Sequence, residues 1–387
     1  MNIPLFKVFM SDDAHKNLEP VISSGYIGQG PKVEEFESRL RDYVQSPYVN
    51  TVNSGTSALH LALHMLKYNC TVGYSRLCFS GGGDENQKNE ILTTPLTCTA
   101  TNWPILANDL KIKWVDVDPN NCNIDLVDLE RKITDKTLGI MVVHWGGYPC
   151  DLDKLRQIQI RAHQRFGYTP PIIEDCAHAM GASYKGKPIG SQGNYCMFSF
   201  QAIKHLTTAD GGMLISPDNK THKRAKLLRW YGLDRTTSAD FRCEQTIQEW
   251  GYKFQMNDIA ASIGLSNMEH LDWIVETHNK NGTFYNTQLE GIPGVKLLDV
   301  EPQFCSSYWI YTMRVENRDD FIQKMKEDGI ATSRVHDRND KHACVEEFKA
   351  GLPGTDEICK DMICIPCGWW VGEEERQYVV DKIKEGW

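Results

Sequence analysis

Residues 170–212 of the chain read PPIIEDCAHAMGASYKGKPIGSQGNYCMFSFQAIKHLTTADGG. The runs PPIIEDC and NYCMFSF within this stretch are short, largely apolar and bounded by turn-forming residues, which is typical of buried strands. Reactive side chains stand where both runs end: Asp175 and His178 at the first, and Lys204 at the second. In parallel α/β sheets, ligands bind at the carboxyl ends of the strands. The stretch therefore predicts strands of an α/β sheet that carry a ligand site at their carboxyl ends.

The same pattern extends outward over residues 48–215, where short β-rich runs alternate with segments of helical periodicity. Further strands are predicted at YVNTVN (48–53), KIKWVDVD (111–118) and LGIMVVHW (138–145), and helices at Thr56–Lys67 and Leu152–Phe166. Such alternation is typical of βαβ units around a mostly parallel sheet, so the predicted fold class is α/β. The glycine-rich and then polar segment 81–90 predicts a surface loop.

The last third of the chain has a different character. The run SSYWIYTMRV at 306–315 predicts a strand, and residues 318–328 predict a charged amphipathic helix that Gly329 ends. A chain of 387 residues is long enough for two hydrophobic cores. We therefore expect a large α/β domain over residues 1–265 and a small α+β domain over residues 266–387.

Composition excludes several classes of function. The net charge is −9 and the charges are scattered, which gives no basic surface for nucleic acid or an anionic membrane. The amino terminus, MNIPLFKVFMSDDAHKN, lacks the pattern of a signal peptide, and no apolar run is long enough to span a bilayer. The 13 cysteines have no framework spacing and indicate reduced thiols. A cytoplasmic protein without nucleic-acid or membrane partners is expected.

Two potential metal-ligand pairs are incomplete. Cys364 and Cys367 form a CxxC motif, but no second pair stands near it in the sequence, so core packing is the alternative. His60 and His64 are one helical turn apart and lack an acidic third ligand. No metal site is predicted.

The turn Asn53-Ser54-Gly55-Thr56-Ser57 lies between a predicted strand and a predicted helix. Glycine allows close backbone approach, and the free N–H groups at a helix start can bind an anion such as phosphate. A plain turn with a serine N-cap explains the same residues. Both interpretations remain open from these residues alone.

Asp175 and Lys204 fit the chemistry of a phosphorylated pyridine aldehyde. A carboxylate at a strand end could pair with a protonated pyridine nitrogen, although a metal ligand or a capping acid would look the same. Lysine is almost never buried without a partner, and desolvation lowers its pKa, as Schiff-base formation requires. The hydroxyl of Ser199 could add a phosphate donor, and Ala209-Asp210-Gly211-Gly212 predicts a tight turn behind the lysine.

The motifs SGTSALHLAL, TTPLTCTATNWPI, VVHWGGYPCDLD, IIEDCAHAMGASYKGKPIGSQG and FSFQAIKHLTTADGG occur in this order, followed by GYKFQMNDIAASIG at 251–264. Together they resemble the nucleotide-sugar aminotransferases of the DegT/DnrJ/EryC1/StrS family over nearly the whole chain. The resemblance implies a fold-type-I aminotransferase with pyridoxal 5'-phosphate as its cofactor. It also implies a homodimer whose active sites lie between the subunits.

The resemblance also implies roles for individual residues. Lys204 would hold the cofactor as a Schiff base and carry the transferred proton, Asp175 would pair with the pyridine nitrogen, and His178 would lie near the ring hydroxyl. The phosphate cup would be formed by the turn at Gly55, the backbone of Thr56 and Ser57, the hydroxyl of Ser199 and, across the dimer, Lys253.

Some positions depart from the family pattern. Cys98 stands where the family has an aromatic ring that stacks on the pyridine, so Trp103, another ring or only the thiol covers that face. Lys253 replaces the usual asparagine, and a cation suits a phosphate. Arg334, His336 and Arg338 lie where the family has its substrate-side loop and could clamp a diphosphate; a solvated loop is the alternative.

The function that the resemblance implies is transamination. An amino-acid donor, expected to be L-glutamate, would provide the amino group for a nucleotide-linked keto-deoxysugar, yielding an amino sugar for a surface polysaccharide, lipopolysaccharide or glycoprotein glycan. A dehydratase of the same fold is the nearest alternative, but those enzymes have histidine in place of the lysine, and this chain keeps Lys204. A non-catalytic regulatory relative is a second alternative. A nicotinamide dehydrogenase is not supported, because no GxGxxG follows the first strand.

Overall fold

The computed structural model describes residues 1–68, 88–236 and 244–387. The strands in this part of the chain are β1 (Val49–Val52), β2 (Glu90–Thr93), β3 (Lys111–Trp114), β4 (Thr137–Val143), β5 (Ile172–Asp175), β6 (Ser183–Tyr184), β7 (Lys187–Pro188), β8 (Tyr195–Ser199), β9 (Gly212–Ile215), β10 (Val295–Leu297), β11 (Phe304–Cys305), β12 (Tyr311–Val315) and β13 (Met362–Ile365).

The α-helices of the described residues are α1 (Ala14–Ser24), α2 (Pro31–Val44), α3 (Gly55–Lys67), α4 (Thr99–Ala107), α5 (Leu126–Lys132), α6 (Leu152–Phe166), α7 (Asn219–Leu228), α8 (Asp258–Met268), α9 (Leu271–Gln288), α10 (Arg318–Glu327), α11 (Pro353–Asp361) and α12 (Glu373–Lys384). None of them is long and apolar enough to cross a membrane.

The large unit is built on a seven-stranded sheet in the order β1-β9-β8-β5-β4-β2-β3. Neighbours from β8 to β3 are parallel, whereas β9 runs antiparallel to both β1 and β8. Strand β4, TLGIMVV, is buried at every residue, as expected of a strand covered on both faces. The predicted α/β class with a mostly parallel sheet is confirmed.

Two strands of the seven-stranded sheet escaped the sequence prediction. Strand β2 begins at Glu90, which the predicted surface loop 81–90 had included, so that loop is wrong at its end; residues 81–87 lie outside the described residues. Strand β9 begins at Gly212, the second residue of the Gly211-Gly212 pair, where the glycines favoured a turn. Four-residue strands that pair on both sides show little periodicity, because nearly all of their side chains are buried.

The predicted helices α3 and α6 form, and their starts are capped as the sequence suggests. The Ser54 hydroxyl accepts a hydrogen bond from the Ser57 amide at 3.1 Å, and the Asp151 carboxylate accepts one from the Lys154 amide at 3.0 Å. Helix α6 ends at Gly167 in the left-handed conformation, which glycine adopts without a steric penalty.

The carboxyl-terminal unit contains the three-stranded antiparallel sheet β10-β12-β13 with α9, α10 and α12 packed in one core. Ile3 joins this core and bridges to Ile330, although the predicted boundary assigns the first residues to the large domain. The chain start thus crosses to the second unit. The described structure places the predicted helix 318–328 at α10, followed by Gly329 with φ of 73°.

Candidate active site

A cavity of about 590 Å³ opens at the carboxyl ends of the parallel strands. Its lining includes residues at and after the ends of β5 and β8, the start of α3, and Ser333, Val335 and His336 of the carboxyl-terminal unit. The cavity walls include Gly55, Thr56, Cys98, Thr101, Asp175, His178, Ser199, Lys204, Trp309 and His336. The fold therefore brings together most of the predicted site residues at the edge of the sheet where ligands bind.

Lys204 follows β8 in a tight turn, in which its amide donates a 2.9 Å hydrogen bond to the Gln201 carbonyl. Its amine reaches the cavity and lies 3.5 Å from the centre of the Trp309 ring. Burial lowers the pKa of Lys204 to about 7, with Asp175 acting in the opposite direction. A large share of this amine is therefore uncharged and nucleophilic near neutral pH.

Asp175 is the last residue of β5 and is 4% exposed. Its carboxylate accepts hydrogen bonds from the Thr101 hydroxyl at 2.6 Å and from the Ala177 amide at 3.0 Å. Burial nonetheless raises the pKa of Asp175, because these contacts and the Lys204 charge do not offset desolvation. A cationic ring nitrogen in the cavity would supply the missing partner.

The sequence left open that Asp175 is a metal ligand, so the potential metal ligands next to it bear on its role. In the described residues, His144, Glu174 and Cys176 have ligand atoms close enough to share an ion. His144 and Glu174 instead bind each other at 2.9 Å, and Asn194 donates to the second Glu174 oxygen at 2.7 Å. These hydrogen bonds occupy the potential ligand atoms of His144 and Glu174. They also anchor the carboxyl end of β5 on the side of the strand away from Asp175. The sequence analysis missed this pair, although strand alternation places Glu174 opposite to Asp175.

His178 is buried beside Asp175 and stacks on Trp309 with ring centres 3.9 Å apart. Its Nε2 lies 3.4 Å from Nε2 of His336, whereas its Nδ1 is buried without a hydrogen-bond partner among the described residues. Burial and the Lys204 charge hold the pKa of His178 well below its usual range. The ring is therefore neutral and has one polar atom left for a ligand.

The glycine turn at the start of α3 differs in part from the expectation. Gly55 and Thr56 line the cavity, but the Ser57 amide is used by the Ser54 cap and the Ser57 hydroxyl donates to Asn53 at 2.7 Å. The predicted phosphate role of the Ser57 backbone therefore has no support in its contacts, because an N-cap consumes that donor. Packing also favours glycine at 55, since a Cβ there would lie 2.7 Å from the Met197 sulfur, which would have to move.

Cys98 directly precedes helix α4 and lines the cavity. Its predicted position beside the pyridine ring requires it to lie there. Trp103, a predicted substitute for the stacking ring, packs against His342 and is absent from the cavity wall. Besides the imidazoles of His178 and His336, the rings that line the cavity are Phe6 and Trp309, which stack at 5.0 Å. The sequence analysis missed both, because Phe6 and Trp309 are far from the other site residues along the chain.

The three residues of the predicted substrate loop have different environments. His336 lines the cavity. Arg338 is paired with Asp340 and Asp356, and exposed Arg334 lies 3.4 Å from Asp337. These ion pairs give no support to a diphosphate clamp made by Arg338.

Lys253 does not line the cavity of its own chain. Its ammonium lies 4.1 Å from the centre of the Trp230 ring, and its carbonyl accepts a 3.3 Å hydrogen bond from the Asn53 side chain. A role at a phosphate would therefore be exerted on a second subunit, which stays a prediction.

The whole chain resembles known sugar aminotransferases in sequence and structure. A family model described as the DegT/DnrJ/EryC1/StrS aminotransferase family matches residues 9–384. AtS13 from Actinomadura melliaura is 46% identical with a TM-score of 0.93, and the sugar aminotransferase CalS13 from Micromonospora echinospora is 42% identical with a TM-score of 0.93; in both cases 100% of each chain is covered. The UDP-4-amino-4-deoxy-L-arabinose–oxoglutarate aminotransferase of Shewanella sediminis is 31% identical, with 99% of this chain and 97% of the relative covered.

The resemblance stated from the sequence, the fold-type-I architecture and the prediction of an enzyme are confirmed by these matches. The site geometry agrees with them, because an amine of low pKa and a buried carboxylate face one cavity. The chain belongs to the DegT/DnrJ/EryC1/StrS aminotransferase family.

Proposed function

We propose that this aminotransferase moves an amino group from L-glutamate to the keto carbon of a nucleotide-linked deoxysugar, yielding an amino sugar for a surface glycan. The cofactor is pyridoxal phosphate, whose aldehyde accepts the amino group and whose ring acts as an electron sink. The observation that carries this proposal is the presence of Lys204 and Asp175 in one cavity, each with its pKa displaced by burial.

The cavity residues fit the cofactor at both ends. The buried carboxylate of Asp175 would hold a proton on the ring nitrogen, and the pairing would in turn lower its raised pKa. His178 would face the ring oxygen through its unpartnered Nδ1. The phosphate would meet Gly55 and Thr56 at the amino end of α3 and the Ser199 hydroxyl, which all line the same cavity.

Lys204 would act twice. Its uncharged amine is available near neutral pH to bond the cofactor aldehyde, because burial holds its pKa at about 7. After an incoming amino group displaces it, the freed amine would carry the proton between the substrate carbon and the cofactor. A group with a pKa near the working pH is suited to both taking and giving that proton.

The acceptor is inferred from relatives. Names of similar proteins include a spore coat polysaccharide biosynthesis protein of Bacillus subtilis, 30% identical, and the arabinose-type enzyme of Shewanella sediminis, whose name also specifies oxoglutarate. Oxoglutarate is the keto form of glutamate, which supports glutamate as the donor. We also propose that the protein acts as a homodimer with shared active sites, in which Lys253 of one subunit contacts the cofactor phosphate bound to the other.

The experiment that tests the function loads the protein with pyridoxamine phosphate and adds a panel of nucleotide-linked keto-sugars. A productive acceptor should restore the visible absorbance of the aldehyde form and give an amino sugar by mass spectrometry. Lys204→Ala, loaded in the same way, is the matched control and should show no turnover. A product that has lost a hydroxyl instead of gaining an amine would identify a dehydratase, and absence of any product with an active glutamate half-reaction would reject the sugar acceptor.

A further inference from the structure

His178 and His336 form a flat pair of rings, although 158 positions separate them in the chain. Their planes differ by 3°, their centres are 5.4 Å apart, and the two Nε2 atoms are 3.4 Å apart. Trp309 is nearly parallel to both rings, at 16° to His178 and 18° to His336. The indole donates a 2.9 Å hydrogen bond to the Ile203 carbonyl, which holds this platform in place.

The facing nitrogens can share only one proton. Two lone pairs would repel, and two N–H groups would clash, so one Nε2 donates and the other accepts. Burial keeps both rings neutral, because it lowers the pKa of His336 to about 3 and that of His178 well below the usual value. The tautomers of the two rings are therefore coupled: the ring that accepts at Nε2 must carry its proton on Nδ1.

The environment of the second nitrogens favours one of the two arrangements. Nδ1 of His178 is buried and has no partner among the described atoms, whereas His336 is partly exposed. A ring oxygen of the proposed cofactor carries negative charge, and a buried lone pair opposite to that charge would be unfavourable. An N–H group at the same place would stabilise it.

We propose that His336 is a positioning residue that donates its Nε2–H to His178 and thereby fixes His178 as the Nδ1–H donor to the cofactor's ring oxygen. This inference rests on the proposed function. The sequence analysis assigned His336 to the substrate side. In this proposal His336 acts on the cofactor indirectly, through His178. It also couples the carboxyl-terminal unit to the chemistry at the sheet edge.

The test is nitrogen-15 NMR of the protein, labelled at histidine, with and without pyridoxal phosphate, in the wild type, His336→Phe and His336→Gln. Phe keeps a flat ring on the platform without a donor, and Gln restores an N–H at a similar distance. We expect His178 to show the Nδ1–H pattern in the wild type, to lose it in His336→Phe and to regain it in His336→Gln. Resonances of buried His205 and His278, which bind the Ser307 and Tyr308 carbonyls, report an intact fold.

A wild-type His178 with the Nε2–H pattern in the cofactor-loaded protein would overturn the proposal. The same conclusion would follow if His336→Phe left the His178 pattern unchanged. In the loaded protein, the midpoint of the visible-absorbance pH titration should shift upward in His336→Phe and return in His336→Gln, because a ring oxygen without a donor holds the neighbouring proton more tightly. Failure of cofactor binding would count against the proposed function, whereas the effect of His336 on the His178 tautomer is also read without cofactor.

Discussion

The amine of Lys204 lies 3.5 Å from the centre of the Trp309 ring, in a cavity that lowers the lysine pKa to about 7. Two opposing effects meet at this contact. The indole face attracts the charged form, while the excluded water disfavours it. Desolvation is the largest cause of the low pKa, and we expect it to outweigh the attraction of the indole face.

Replacing Trp309 should therefore separate the two effects. Trp309→Ala admits water, so we expect the pKa of Lys204 to rise toward 10.5 and the cofactor to be captured more slowly at pH 7. Trp309→Leu keeps the site apolar without an aromatic face, so the pKa should stay low or fall further. Capture rates of added pyridoxal phosphate measured against pH give both values. An unchanged midpoint in Trp309→Ala would contradict this account.

The burial of Lys204 should also limit the stability of the cofactor-free protein. A lysine whose pKa falls from 10.5 in the unfolded chain to about 7 in the fold binds fewer protons when folded. The free energy of unfolding then rises as pH increases from about 7 to 10.5. Below pH 7 the destabilisation caused by the buried charge is fully present. Lys204→Met should raise the melting temperature at pH 7 and flatten this dependence. Lys253→Met is the matched control and should leave the dependence in place.

Asp175 should matter for turnover more than for binding. In Asp175→Asn the ring nitrogen loses its anionic partner, so we expect cofactor to bind while turnover falls by about 100-fold to 1,000-fold, the usual scale for loss of one electrostatic contact. Thr101→Val removes only the 2.6 Å hydrogen bond to the same carboxylate and should cause a smaller loss. Steady-state kinetics with glutamate measures both. Near-normal turnover in Asp175→Asn would show that the assignment is wrong.

Ala209 occupies a left-handed conformation, with φ of 67°, in the turn behind the lysine. A Cβ costs about 1–2 kcal/mol in this region, and glycine avoids that cost. The greater freedom of glycine in the unfolded chain offsets part of this gain. Ala209→Gly should therefore stabilise the protein by about 0.5–1 kcal/mol in urea unfolding. Ala350→Gly, at an exposed position without positive φ, should give no gain. Equal changes in the free energy of unfolding for the two variants would contradict the explanation by backbone strain.

Complementation tests whether Lys253 acts across a dimer. Lys204→Ala and Lys253→Ala homodimers should each be weak or inactive. In a mixed dimer one site collects both lesions and the other has neither, so activity should return to the mixture. If Lys253 served its own chain, every site would carry one lesion and no rescue would occur. Full activity of the Lys253→Ala homodimer would instead mark Lys253 as a solvated charge.

The sequence alone determined the features that depend on neighbouring residues. The apolar runs that become β4, β5 and β8, the capped helix α3, and the positions of Asp175 and Lys204 at strand ends all follow from short-range patterns. Parallel strands align their carboxyl ends, so residues that follow such strands are brought to one edge wherever they occur in the chain.

Tertiary structure alone decided the contacts between distant segments. Trp309 and His336 reach the cavity from the carboxyl-terminal unit, and no local pattern marks their approach to His178. The same holds for the ion pair of Arg338 with Asp356, which lies 18 positions further along the chain. A side chain's partners are set by the packing of whole elements, because burial makes each polar group satisfy its hydrogen bonds with whatever the fold brings within reach.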